Sequence, residues 1–519
     1  MRGKLIVVAA AVLCLVGLWL IFQPDNKPRK EAERTRKQLQ SKGFKMELSE
    51  FHLSTTPEIH TRADAILEAG QQGRDLGTFR EIELARAAGS NTAFVLWRAE
   101  KLATDAAEDY WPALKASLGQ RREVLDNACA AASAGRFRFE PNAQRTGVAV
   151  PYLMNLRSVA IALSLRAVLE LHQDNLPGAW TNLNALTRLA TAWDTEPIEL
   201  AYFSKFSCVI IAQRTLWEAL QKHAWTDEQL AALQKEWASA SLLAGLPESA
   251  AMARANGIAY CASQRQQPPP PPLPFMQSVS DFANSPTRGW AEMTSSWRES
   301  RYRHVGTFED ETALMLYYSE LETDLQKALN YQSWADILGS IPIATNSAPG
   351  QERVRYTVLA GLGPPGGYSR AGQTIFIRAA EAETRRRLIV SALAIERYRL
   401  KEGILPDSLQ QLVPTFAADV PTDFMDSKPL RYRRSNGDGF VLYSVGLDCV
   451  DDGGVRQIPE LQRRLGPGFP RGFSFNRPEG PDVLWPLAAS AAQERADAER
   501  DAARRIADQP PLSKSRPAL

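Results

Sequence analysis

A helix that has to stop at a glycine, followed by a proline-bracketed turn and a hairpin, constrains this chain more than any other stretch. It runs from Ala380 to Gly454. Leu388, Ala392, Ile395 and Tyr398 recur at spacings of four, three and three, which makes one apolar stripe on a helix from Glu381 to Glu402. Gly403 takes positive φ without a Cβ clash and so ends that helix. Ile404-Leu405-Pro406 leaves it, and Asp407 or Ser408 caps a short second helix, Leu409 to Val413, ahead of Pro414. After a turn at Val420-Pro421-Thr422-Asp423, two strands are predicted, at Leu430 to Arg433 and Phe440 to Val445. Asn436-Gly437-Asp438-Gly439 between them supplies the positive-φ residues that a hairpin needs. An acidic, glycine-rich loop from Asp448 to Gly454 closes the unit.

This order of parts resembles the globular half of the major pseudopilins of type II secretion systems. The resemblance rests on Ala394, Tyr398, Gly403, Pro406, Leu409, Leu412, Val413, Pro421, Asp423, Pro429, Tyr432, Phe440, Ser444, Gly446 and Asp448. The stretch is more similar still to the end of large envelope proteins of planctomycete and verrucomicrobial type, which share its R-R-R-L and L-x-Y-R-R parts. The resemblance implies a small α+β pseudopilin-like module over 371–487. It also implies calcium in the loop after the hairpin, held by Asp448, Asp451, Asp452 and nearby backbone carbonyls. Calcium takes about six to eight oxygens, which clustered Asp and tightly turning Gly can supply. The bland reading of the same residues is an exposed acidic turn. Assembly into a pilus-like fibre is not implied. Pseudopilins begin with a leader ending in Gly, and their apolar helix has Glu five residues in and runs straight into the globular part. Here the apolar segment begins at Leu5, lacks such a Glu and lies far upstream.

That segment, Leu5 to Phe22, holds eighteen residues without a charge, the lower end of what spans a bilayer. A cleaved signal peptide needs small residues at its cleavage site, and Leu18-Trp19-Leu20-Ile21-Phe22 offers none. A lipoprotein signal needs a small residue before Cys14, where Leu13 stands. An N-terminal single transmembrane helix, an uncleaved signal anchor, fits best, and it makes the membrane the first partner. Its direction is contested. Lys27, Arg29, Lys30, Arg34, Arg36 and Lys37 outnumber Arg2 and Lys4, which favours a cytoplasmic C-terminal side. The family resemblance favours the external side, and Glu31 and Glu33 dilute the basic run. The expectation is an inner-membrane, single-pass protein with its bulk in the periplasm.

Between anchor and module the pattern is mainly α. A charged stalk covers 23–57, with Lys27 to Lys45 as a helix solvated on its faces. A helical domain covers 58–265. Its predicted helices are Ala63 to Ala69, Phe79 to Ala88, Thr92 to Leu118, Arg121 to Ala132, Pro151 to Leu171, Ala179 to Ala192, Ile198 to Lys222, Thr226 to Ser241 and Pro247 to Ser263. Thr226 with Gln229 forms a capping box. The helix pair after Pro151 shares a faint pattern with tetratricopeptide units, but the Trp, Gly and Tyr positions are missing and no period of about 34 continues, so a plain helical hairpin is the reading. Over 266–275 lies a proline-rich linker, Pro268 to Pro274, which as polyproline is a stiff spacer or an SH3-type ligand. A helical continuation covers 276–370, with helices at Phe308 to Asn330 and Trp334 to Ile341 and a strand at Val354 to Leu359. Leu487 to Ala507 reads as an Ala-rich charged helix, so 488–519 is charged helix and tail.

Chemistry is hard to find. A chain of 519 residues with a formal charge of +2 has room for several domains and no marked preference for polyanions. No basic stripe with interleaved aromatics is present, so nucleic acid is not an expected partner. Cys129, Cys208 and Cys261 sit in helical patterns as small hydrophobes, without Cys-x-x-Cys pairs. The five histidines, His52, His60, His172, His223 and His304, lack metal-ligand spacing; His172, at a helix end, reads as a cap. Gly361-Leu362-Gly363-Pro364-Pro365-Gly366 spells a dinucleotide fingerprint, but two prolines delete amide donors where a pyrophosphate would need them. Two functions are therefore carried forward. One is a non-enzymatic envelope protein that binds an unknown protein partner or serves secretion. The other is an envelope hydrolase whose site is scattered in sequence.

Overall fold

The computed structural model describes residues 26–76, 92–102, 109–140, 142–144, 147–149, 152–267, 301–341, 366–435, 439–454, 482–490 and 492. The apolar segment Leu5 to Phe22, the predicted helix Phe79 to Ala88, the polyproline run and the predicted strand Val354 to Leu359 lie outside these residues. Among the described residues no helix is long and apolar enough to cross a membrane.

Helices dominate. In chain order they are α1 (Lys27–Ser41), α2 (Pro57–Gln72), α3 (Trp111–Gln120), α4 (Arg122–Ala134), α5 (Leu153–His172), α6 (Leu176–Thr191), α7 (Glu199–Leu220), α8 (Asp227–Ser239), α9 (Leu246–Gln266), α10 (Thr307–Ala328), α11 (Trp334–Ser340) and α12 (Gly366–Glu402). Helix α5 is the hub of the body, packed on α2, α6 and α7. Leu153, Leu156, Ala160, Leu163, Ala167 and Leu171, which recur at helical spacing, are buried, and so are Val159, Leu165 and Val168. A helix apolar on nearly every side belongs inside a core. Local signals set its neighbours: the Asn175 side chain accepts from the Gly178 amide to start α6, and the Thr226–Gln229 capping box starts α8 as expected.

After the short strands β1 (Thr92–Ala93), β2 (Asn142–Gln144) and β3 (Gly147–Ala149), a small antiparallel sheet near the C-terminus is formed by β4 (Arg431–Arg434), β5 (Phe440–Ser444) and β6 (Val483–Trp485), in the order β4-β5-β6. Arg431 lies opposite Tyr443, and Leu442 opposite Trp485. Helix α12 packs on this sheet and on α7 and α8. A single hydrophobic core consequently runs from Ala63 in α2 to Trp485 in β6.

Four expectations need correction. The charged helix α1 is not solvated on all faces. Ala32 and Leu39, seven apart and so on one face, join Met46, Ile258 and Met315 in a small core, while Arg36 pairs with the buried Glu311 on α10. The helix predicted over Thr92 to Leu118 is broken. Thr92–Ala93 is a short strand, parallel to Leu487–Ala488; a 3-10 turn follows at Leu96–Arg98; and among the described residues the next helix starts at Trp111, with proline in its first turn. The Glu218 carboxylate accepts the Leu96 amide and removes the need for helical bonding there. For the same reason of pairing, the predicted helix from Leu487 opens as a strand. Finally, α12 starts well before Glu381, because Phe376, Ala379 and Ala380 continue its buried face.

Candidate functional site

The turns around the hairpin bring one arginine and three carboxyls together. Asp423, on the Pro421-Thr422-Asp423 turn, has 0% exposure. Its Oδ1 accepts from the Met425 amide (2.9 Å) and the Ser444 hydroxyl (2.7 Å), and its Oδ2 from the Val445 amide (3.0 Å). The carboxyl thus ties the turn before the hairpin to the end of β5. Burial raises its pKa, against those hydrogen bonds.

Arg431, at the start of β4, faces this carboxyl and two more. Its Nη1 and Nη2 form a fork on Asp426, at 3.1 and 2.7 Å. Nη1 also reaches Asp423 Oδ2 at 3.3 Å, and Nε reaches Asp451 Oδ2 at 3.3 Å. The hydrogen bonding to Asp426 is the main reason that the guanidinium is held protonated even more firmly than usual. At Asp426 and Asp451 burial pushes upward but is outweighed. For Asp426 the bonds from Arg431 and the Lys428 amide prevail, and for Asp451 those from the Gly453 amide, Tyr443 and Arg431; both carboxyls end below their ordinary value.

The three residues expected to hold calcium do not act as one group. Asp451 accepts from the Tyr443 hydroxyl and the Gly453 amide through Oδ1. Asp448 Oδ1 accepts the Val450 amide. Asp452 lends its own amide to a residue that sequence reasoning missed, Asp482. That residue accepts the Gly454 amide at 2.7 Å and is pushed up to about 6, mainly by burial. Gly454 has φ +72, and a Cβ there would lie 2.8 Å from the Tyr443 ring, so the turn requires glycine. Among the described residues no three His, Cys, Asp or Glu side chains are arranged to hold a metal ion.

A second ionisable cluster sits in the helical body, and no sequence signal pointed to it. Glu196, in the loop between α6 and α7, is 0% exposed. Its Oε1 accepts from the Phe139 amide and the Trp193 indole, while Oε2 is buried without a partner. Burial pushes its pKa up to about 7. Lys205 on α7 donates to the Trp193 carbonyl, and burial pulls it down to about 8. Tyr152 lies nearby, and its buried hydroxyl interacts with the Glu196 carboxyl; burial, together with that carboxyl, pushes the phenol's pKa up. His172 is structural: it stacks on Trp111 at 4.1 Å and bonds the Trp97 carbonyl through Nδ1 instead of capping its own helix.

Two hollows among the described residues bear on binding. One, of about 390 Å³, is lined by Leu176, Pro177, Trp180, Thr181, Trp225 and Gln229 among others. The two indoles lie 6.0 Å apart, and the Trp225 N–H is used internally on the Ala219 carbonyl. The other, of about 20 Å³, is lined only by apolar and aromatic side chains, including Leu246, Leu325, Trp334, Ile337, Phe376 and Phe424.

No protein-family model, no curated protein and no solved structure matches this chain.

Proposed function

We propose that the protein is a membrane-anchored bacterial envelope protein that works by binding another protein, with no chemistry of its own. Leu5 to Phe22 is its anchor, the bulk faces the periplasm, and the C-terminal unit is a pseudopilin-like module serving interaction or secretion. One observation carries the binding part: the open hollow at Trp180 and Trp225 is lined by aromatic, proline and uncharged polar groups, the make-up of a recognition surface. The module reading is supported by its order of parts, a helix ending at Glu402, a 3-10 turn at Leu409–Leu412 and an antiparallel hairpin.

The hydrolase alternative draws on Glu196 and Lys205, because shifted pKa values gather at active sites. Their burial, 0% and 6% exposed, keeps substrate from them, and the binding reading is preferred.

Topology is the test. Alkaline phosphatase and a fluorescent protein are fused in turn after Leu519. Active phosphatase with a dark fluorophore supports the envelope reading, and the reverse withdraws it. A photo-crosslinking residue at Thr181 then tests binding: one discrete adduct in intact membranes, lost in Trp180→Ala, is expected. Absence of any adduct there, with the fold intact, counts against the hollow as the binding surface.

A further inference from the structure

We propose that Arg431, and not a bound calcium ion, is the cation around which the hairpin turns are built. A divalent ion in such a loop would neutralise converging carboxylates and tie distant turns together. The Arg431 guanidinium does both. It joins Asp423 and Asp426, on the turn before β4, to Asp451, on the turn after β5. A planar fork with five N–H groups can address three carboxyls at once.

The donor set around these carboxyls is wrong for a metal. Calcium needs oxygens with lone pairs turned inward at about 2.3–2.6 Å. Here N–H and O–H groups point at the oxygens in question. Asp451 faces the Tyr443 hydroxyl, the Gly453 amide and the Arg431 Nε. Asp423 faces Met425, Ser444, Val445 and Arg431. The Gly453 carbonyl, a natural ligand in such a turn, already accepts from Arg433 at 3.1 Å. A metal would have to displace positively polarised hydrogens, and a guanidinium that is only 17% exposed, from these places. Asp482 is the carboxyl that least fits this account, since its Oδ1 is buried without a partner. Its other oxygen is bound to the Gly454 amide, and one free oxygen falls far short of a calcium shell.

The test is thermal melting of the full-length protein in detergent, with EDTA or with millimolar calcium chloride, together with calcium titration calorimetry. The wild type is expected to melt at one temperature in both conditions and to give no binding heat. Arg431→Ser is expected to melt lower by roughly 4 °C or more, since a buried charge network loses its centre. With three carboxylates left facing one space, it is also expected to regain part of that loss in calcium. A wild-type melting temperature that rises with calcium overturns the proposal whatever the variant does. So does a variant that melts like the wild type.

Discussion

Asp423 and Glu196 are both carboxyls with no exposure, in two regions that treat them in opposite ways. In the C-terminal sheet Asp423 meets two amides, a hydroxyl and a guanidinium. In the helical body Glu196 meets one amide and one long indole contact, and its other oxygen makes no well-formed hydrogen bond, with the Tyr152 hydroxyl near the carboxyl. A buried charge is tolerated when its lone pairs are filled and is otherwise driven toward its neutral form. The sheet therefore uses a charge to fix its geometry, whereas the body tolerates one as a weak point. Burial alone does not tell which of the two a carboxyl will be.

The sharpest way to break this comparison is Asp423→Ala. It strands Arg431, two amides and Ser444 at once, and is expected to cost roughly 3–5 kcal/mol in a urea titration. A loss near that of an ordinary surface substitution would mean that the network is ornamental. Next comes pH. Glu196 is raised from 4.5 to about 7 in the fold, so the folded state binds the extra proton between those values. Its contribution is complete below about pH 4.5 and is lost as pH rises through about 7. The loss amounts to about 3 kcal/mol by the unit conversion. Denaturant midpoints on either side of that window should fall with pH in the wild type and fall much less in Glu196→Gln; equal declines would remove Glu196 as the cause. A smaller effect is expected at Thr226, whose oxygen accepts the Gln229 amide: Thr226→Ala should cost about 1 kcal/mol. Least of all, Arg434→Ala breaks an exposed pair with Asp407 and should change stability by less than about 0.5 kcal/mol. A larger value there would mean that charge itself, and not its burial, matters in the sheet.

What could be read in advance follows from how local each signal is. The stripe through Leu388, Ala392 and Ile395 and the stop at Gly403, which takes φ +73, need only their own helix. The hairpin is likewise a pattern of a few residues. The charge network is not local. Asp448, Asp451 and Asp452 are neighbours in sequence, but the hairpin carries Asp451 to Arg431, Asp423 and Asp426, and Asp452 toward Asp482. Nothing in the spacing of those residues announces the grouping. Glu196 stands in a loop that reads as solvated, Asp194-Thr195-Glu196-Pro197. It is buried because Phe137 bridges to Trp193 and brings the Phe139 amide over it. The break at Thr92 was missed for a similar reason, since its partners Leu487 and Glu218 are remote in the chain.

Helix α12, 37 residues and so about 55 Å long, has a mechanical meaning. It is a beam that packs on α7 and α8 and also carries the sheet. A pull applied to β5 is resisted as shear along that packed length, not at a flexible joint, so whatever grips the sheet moves the helical body with it as one piece. An attachment made of a jointed tether would absorb such a pull; this one transmits it.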